Sequence, residues 1–366
     1  MIDWLRAEQL SELQAFFDEH WQRGHILARD AELVRWQHRL PDHPDRVSML
    51  VAREEGQIVG VLGMILVGFC WRGRCIPGGW LAGWIVTPHA RSRQTGLRLL
   101  RHATGSLELS FIGVTGINEK ALRIYRALGF SICESIPRWV RVISDDALAR
   151  LLAGRGSPLR EPVTAPAMIT GLQTAAWSDV LAQRWDDAWR KRIAPQLIGT
   201  WRDAAYLRWR YLEHPRFSYS VRFAHDNDGA VRGMAVHRVA EALGSRGRVV
   251  RLLELLGDDE TMTTLAADAV ACGAKAGAAF ADMYCTADAV AGPLASCGFT
   301  LSPGESDNLP ALFEPIDFNE TRLTGAFSVG QEFDGSKLLH SGALYVTRSD
   351  SDQDRPNRLL ASSLRR

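Results

Sequence analysis

The sequence predicts a mixed α/β (α+β) protein in which one fold is used twice in tandem, each domain having a mixed central sheet flanked by helices. Three observations lead there. Residues 80–130 read as strand, polar turn, helix, strand, helix. Residues 177–299 repeat that plan, and both copies close on a matching signal, Leu128-Gly129-Phe130 and Cys297-Gly298-Phe299. In each, Gly suits the left-handed residue after a helix and Phe the apolar contact beyond it. Between the copies the composition shifts to Gly, Ser and Pro (Pro158, Pro162, Pro166). This gives domains at 1–153 and 167–347, a linker at 154–166 and a polar tail at 348–366.

In order, residues 7–21 place Leu10, Leu13, Phe16 and Phe17 on one helical face. Asp30 caps a second helix through Leu33 and Trp36, ended by Pro41. Residues 48–53 and the run from Gln57 form a hairpin about Glu54-Glu55-Gly56, and Arg72-Gly73-Arg74 is the next turn. Pro77-Gly78-Gly79 precedes a buried strand at 80–86, which Thr87-Pro88 stops. A polar turn at 91–96 opens a helix at 97–103, followed by a strand at 109–115 and a helix at 118–128. Strands at 131–133 and 138–143 complete the order α-α-β-β-β-α-β-α-β-β. In the second copy, helices are expected at 177–193, 201–212, 261–276 and 287–296, and strands at 219–224, 233–239, 249–256 and 279–285. Residues 348–357 are polar and aperiodic, which composition reads as a frayed end.

The chain has 366 residues, 46% of them apolar, enough for two sizeable cores. A formal net charge of +1 gives no bulk electrostatic case for nucleic acid or an anionic membrane. The six cysteines show no metal-ligand spacing, and no metal is expected. The longest apolar run, residues 58–70, is interrupted by glycines and too short to span a bilayer. With no basic and apolar leader at Met1-Ile2-Asp3-Trp4, the cytoplasm is the default compartment. Twelve tryptophans are many, and several adjoin arginine, as in Trp201-Arg202 and Trp209-Arg210. Such pairs suit stacking in a groove or simply the rim of a core.

A strand feeding a helix N-terminus through a turn with exposed backbone N–H groups is an anion site. The helix dipole contributes about 0.3–1 kcal/mol there. Arg91 and Arg93 can add charge-assisted contacts, and Gly96 admits close approach. Asn118 and Tyr125, two turns apart, share a helix face with Ala121 low between them. Val86-x-Pro88-x-x-Arg91-x-x-Gln94-x-Gly96-x-x-Leu99-Leu100 resembles the acyl-CoA-binding motif of the GNAT superfamily of N-acetyltransferases. Asn118-x-x-Ala121-x-x-x-Tyr125-x-x-Leu128-Gly129-Phe130 resembles that superfamily's next motif. The resemblance implies acetyl-CoA or another short acyl-CoA as co-substrate, held by Val86, Arg91, Arg93, Gln94, Thr95, Gly96, Asn118 and Ala121. It also implies Tyr125 as general acid, with Asn118 beside it. One position departs: Gln94 stands where the motif usually has Gly. The strand at 80–86 has no acid where many members place a base; Glu134, His89 or a second-domain residue are the candidates.

Where the second copy should carry its phosphate loop it has Gly257-Asp258-Asp259-Glu260, which would repel a pyrophosphate. That domain is expected to have lost coenzyme A binding and to serve as acceptor platform. The segment at 201–215 and the tail Asp350-x-Asp352-Gln353-Asp354-Arg355-Pro356-Asn357 resemble tandem acyltransferases of surface-polysaccharide gene sets. That likeness implies a nucleotide-linked amino sugar as acceptor. Separately, the guanidinium and aromatic side chains of Arg202, Tyr206, Arg208, Trp209 and Arg210, with Arg355, are candidate contacts to a nucleotide diphosphate. A helical core stripe of Trp201, Ala205, Trp209 and Leu212 with solvated arginines is the competing reading. Two other functions stay open: an aminoacyl-tRNA-dependent transferase of the peptidoglycan-bridge type, and a non-catalytic CoA sensor.

Overall fold

The computed structural model describes residues 1–153, 171–242, 247–302, 309–311, 322–335, 338–339 and 342–356. The expected linker at 154–166 and Asn357 lie outside these residues.

The first half runs β1 (Ile2–Arg6), α1 (Leu10–His20), α2 (Ile26–Arg29), α3 (Ala31–Gln37), β2 (Arg46–Glu54), β3 (Gln57–Trp71), β4 (Arg74–Val86), α4 (Pro88–Arg91), α5 (Thr95–Ser106), β5 (Phe111–Thr115), α6 (Glu119–Ala127), β6 (Ser131–Cys133), β7 (Arg138–Val142) and α7 (Asp145–Leu152). The second runs β8 (Gln173–Ala176), α8 (Asp179–Ala188), β9 (Ile198–Thr200), α9 (Ala204–Leu207), β10 (Ser220–His225), β11 (Val231–Glu241), β12 (Arg248–Leu256), α10 (Asp259–Lys275), β13 (Phe280–Tyr284), α11 (Ala291–Ser296), β14 (Thr300–Leu301), β15 (Gly325–Val329) and β16 (Leu344–Tyr345). Among the described residues these make two mixed sheets. One is ordered β1-β2-β3-β4-β5-β15-β6, with β9 on β3 and β16 on β9; the other is β14-β7-β13-β12-β11-β10-β8.

The plan is duplicated, as the sequence indicates. In the first sheet, antiparallel β2-β3-β4 leads to β5 parallel to β4; in the second, antiparallel β10-β11-β12 leads to β13 parallel to β12. The two helix-ending glycines take the expected left-handed conformation, Gly129 at φ +82° and Gly298 at +77°. The Phe130 and Phe299 N–H groups then donate to Tyr125 and Leu294 carbonyls five residues back.

Sheet membership crosses the expected boundary at residue 153 in both directions. β7, from the N-terminal half, pairs with β13. β15, from the C-terminal half, lies between β5 and β6, and β9 extends the edge of β3. Each half therefore lends strands to the other's sheet. A core joins them, with Trp80, Phe111 and Phe327 in the same apolar cluster as Trp185, Trp189 and Leu252.

Four local expectations are revised. A strand, β1, precedes the first helix; its five residues are too short for a periodic signal. Pro77-Gly78-Gly79 does not precede the strand but lies inside it, since β4 starts at Arg74. The glycines serve packing there: a Cβ on Gly78 would lie 2.9 Å from Phe69, and one on Gly113, facing Trp80 in β5, 2.4 Å from the indole. Residues 201–203 are not helical, because Asp203 caps α9 by accepting from the Tyr206 N–H at 2.9 Å. The largest revision concerns the expected frayed tail. Residues 348–356 are buried, Asp350 being 2% and Arg355 4% exposed.

Ion pairs hold that segment inside. Arg202, wholly buried, donates from Nε to Glu254 at 2.8 Å and from Nη2 to Asp350 at 2.6 Å. Arg210 donates to the Ser349 and Ser351 carbonyls, and Arg238 to Asp354 at 2.7 Å. A polar stretch is thus buried by meeting charges supplied from 100 or more residues away.

Candidate active site

The β4–β5 pairing begins at Gly78–Phe111 and ends at Trp80–Gly113. Beyond it lies a cleft of about 600 Å³, walled by Leu81–Ile85 on one side and Val114–Asn118 on the other. The rest of its lining comes from Ala121 and Tyr125 of α6, Trp21, Gln22 and His25 in the connection between α1 and α2, Arg322 and Thr324 before β15, and Asp352, Gln353 and Arg355. A β-bulge helps shape it. Val61 faces Ile85 and Gly63 faces Ala82, so Gly83 and Trp84 together oppose one residue of β3, with Gly83 at φ +67°.

Tyr125 is held by aromatic packing, its ring 5.0 Å from Phe130 and 5.7 Å from Trp84. Burial pushes its hydroxyl above the usual phenol range, so it keeps its proton at neutral pH. Asn118 caps α6, its Oδ1 accepting from the Ala121 N–H at 3.0 Å, and it also lines the cleft. Asn118, Ala121 and Tyr125 are therefore brought together, as their spacing predicts.

The loop at 91–96 lies across Trp84 from this group. The indole borders the cleft and also packs on Gly96, where an added Cβ would meet it at 3.2 Å. Gln94, standing for the usual Gly, takes φ +55° and ψ +26°, the left-handed region that glycine favours. Glycine would take that conformation without strain. Arg91 donates from Nε to the Val86 carbonyl at 3.1 Å, and Arg93 pairs with Glu54 at 2.9 Å. Among the described residues, Trp84 Nε1 and Thr95 Oγ1 are buried without a hydrogen-bond partner. Orphaned polar atoms on both sides of a glycine at a helix N-terminus fit the passage of a pyrophosphate and its amide-bearing arm.

Of the candidate acceptor contacts, only Arg355 reaches the cleft. Arg202 and Arg210 are spent on the C-terminal segment. Arg208 pairs on the exterior with Asp179 at 2.6 Å, and Trp209 packs against Trp36 with ring centroids 5.7 Å apart. Glu134 pairs with Arg126 at 2.5 Å on the surface, and His89 stands 4.0 Å from Glu54; neither borders the cleft.

The sequence reading missed His25 and Asp352. His25 is 1% exposed, and its Nδ1 accepts the Leu27 N–H at 3.2 Å, so the neutral ring carries its proton on Nε2. Burial, and secondarily Arg355, push it down to about 2. The signal for it was slight: a His before a four-residue helix.

β12 and β13 part after Leu252–Met283 in the duplicate, and Tyr345 enters there, its hydroxyl accepting the Leu255 N–H at 2.8 Å. It leaves a second cleft of about 420 Å³ bordered by Leu255, Leu256, Asp258, Val290 and Tyr345. Asp258 caps α10 through the Thr261 N–H at 2.9 Å and lies 3.5 Å from Arg232. The acids expected to repel a pyrophosphate thus stand at that helix start, with Asp258 also bordering the second cleft.

Residues 7–130 match the model of the acetyltransferase (GNAT) family. No curated protein sequence matches the chain. A GCN5-related N-acetyltransferase from Anabaena variabilis shares the fold at 12% identity and a TM-score of 0.58, over 89% of this chain and 72% of that one. N-myristoyltransferase from Saccharomyces cerevisiae, with bound myristoyl-CoA, aligns at 12% identity and 0.55, over 89% and 77%. A probable N-acyltransferase from Enterococcus faecalis aligns at 8% and 0.55, over 89% and 72%. At these identities the likeness is one of fold.

Proposed function

We propose that this chain, an acyl-CoA-dependent N-acyltransferase with a GNAT acetyltransferase domain over residues 7–130, moves an acetyl or other short acyl group to the amine of a nucleotide-linked amino sugar. The observation that carries the reading is the cleft where β4 and β5 part, which joins Tyr125 to a wall of Trp21, His25, Arg322 and Arg355. An aromatic ring, an N–H donor and two guanidinium groups suit a sugar bearing a phosphorylated nucleotide. The volume favours a short acyl group. About 600 Å³ has to take both thioester and acceptor, whereas the yeast neighbour binds myristoyl-CoA.

In this mechanism the thioester lies along β4, with Gly96 and the start of α5 facing the pyrophosphate. Backbone groups released at the Gly83–Trp84 bulge polarise the thioester carbonyl. The neutral amine attacks that carbon, the C–N bond forms and the C–S bond breaks, and Tyr125 gives its proton to the departing sulfur. The second half shapes the acceptor side through the C-terminal segment. We place the reaction in the cytoplasm, as a step toward surface polysaccharide.

The test is a panel of nucleotide-linked amino sugars incubated with acetyl-CoA and read by product mass and thiol release. Acetylated product with one of them is expected. Failure of acetyl-CoA to raise the melting temperature, with no thiol release, would overturn the reading. Product with a peptide or free sugar alone would overturn the acceptor class.

A further inference from the structure

The acceptor amine enters as an ammonium ion and must lose a proton before it attacks, yet β4 carries no acid. We propose that Asp352, delivered to the cleft by the C-terminal segment, is the general base. This rests on N-acyl transfer being the reaction.

Three acids alternate along the segment, and two are consumed. Asp350 accepts from Arg202 at 2.6 Å, from the Thr347 N–H at 2.7 Å and from Thr200 Oγ1 at 2.5 Å. Asp354 accepts from Arg238 and from the Tyr219 hydroxyl, both at 2.7 Å. Asp352, between them, borders the cleft and is 8% exposed. Its Oδ1 accepts the Gln353 amide at 2.6 Å and the Ser351 hydroxyl at 3.5 Å, while Oδ2 stands 3.6 Å from Arg355 Nε. The Gln353 amide also reaches the Thr115 carbonyl at 3.4 Å, and a Cβ on Gly116 would lie 2.5 Å from it. The locked neighbours and this contact fix Asp352 against the end of β5.

The other titratable and charged groups facing this place are accounted for. His25 has its lone pair in the bond from Leu27, so it offers a donor, not a base. His38 feels the Asp352 charge but does not border the cleft; its Nδ1 is bonded to the Met64 carbonyl and burial keeps it neutral. Tyr125 holds its proton, and Arg322 and Arg355 are cations. Glu119, on α6, is three-quarters exposed beside Arg123. Among the described cleft residues, Asp352 is the buried carboxylate.

Asp352 takes one proton from the ammonium ion, leaving the amine lone pair free. The amine attacks, and its second proton passes to a water as the C–S bond breaks, the water handing it on to Tyr125. Tyr125 supplies the proton that ends on the thiol and regains one from water, and Asp352 returns its proton to solvent. One proton is released per turnover. His25 Nε2–H, without a partner among the described residues, is a donor for an oxygen next to the amine. Together the two groups select an amine flanked by a hydroxyl.

The test compares Asp352→Asn, Asp352→Glu and wild type in the full chain, with acetyl-CoA and either a UDP-linked amino sugar or methoxyamine, which is already neutral at pH 7. Asp352→Asn should keep acetyl-CoA affinity within twofold and lose about 10²–10³-fold in kcat with the amino sugar. Its rate should climb with pH without the wild-type plateau, while methoxyamine loses less than tenfold. Asp352→Glu should recover part of the rate. A wild-type pH profile in Asp352→Asn, or equal losses with both amines, overturns the assignment alone. Wild type inactive with every amine overturns the acyl-transfer reading and this assignment with it.

Discussion

Arg202 separates two accounts of the acceptor side. If it were an acceptor contact, Arg202→Ala would raise the acceptor KM and leave stability alone. Its surroundings dictate the opposite. The guanidinium is wholly buried and donates to Glu254 at 2.8 Å, to Asp350 at 2.6 Å and to the Thr200 carbonyl at 2.8 Å. Its removal leaves two buried carboxylates facing each other without a counter-charge. Breaking a buried pair from one side costs about 3–5 kcal/mol. With about 2.1 cal/mol/K of unfolding entropy per residue over the chain, that is roughly a 4–6 °C fall in Tm if unfolding is a single transition. Asp350 anchors the segment that carries Asp352, so kcat should fall with stability, and limited proteolysis should cut first near the C-terminus. Urea titration, differential scanning calorimetry and steady-state kinetics read all three. Unchanged Tm with a raised acceptor KM alone would refute the reasoning.

Tyr125→Phe should lower kcat at least 10²-fold and change acetyl-CoA affinity less than threefold, by calorimetry and initial rates; equal losses in both would make Tyr125 a packing residue. Gln94→Gly should raise stability by about 0.5–1 kcal/mol in urea titration, since it relieves a left-handed side chain at some cost in chain entropy. Four buried histidines are held below the usual range: His25 at about 2, His237 at about 4, and His38 and His214 in direction. A depressed pKa means the unfolded chain binds protons that the folded one refuses. Their contribution is present above pH about 6.5 and falls below it by up to about 1.4 kcal/mol per pH unit for each histidine. Urea titrations between pH 7.5 and 4.5 check this; a flat profile would contradict it.

Much of the N-terminal half was legible because its signals are local. Asn118, Ala121 and Tyr125 lie on one helix, and Gly129 needs only its own left-handed φ to end it. What escaped is non-local. The segment at 348–356 looks like solvent-facing chain until Arg202, Arg210 and Arg238 are seen to neutralise it, and no window of sequence contains both sides of those pairs. The exchange of β7 and β15 is hidden for the same reason, since neither strand's pattern records which sheet it will join. Trp84 reads as an ordinary core residue of an apolar strand; its place between Gly96 and Tyr125 depends on the bulge at Gly83. The helix at 201–212 was overextended because Trp201 and Trp209 have helical spacing while Asp203, the cap, lies between them.

Calorimetric titration of acetyl-CoA into the full chain tests the central claim most directly, that of two related clefts the first takes the acyl-CoA and the second, with Asp258, Asp259 and Glu260 at its helix start, does not. One equivalent bound per chain is expected, abolished by Gly96→Leu in a protein whose circular dichroism is unchanged, and unaffected by Asp258→Asn. Two equivalents, or binding that survives Gly96→Leu, would contradict it.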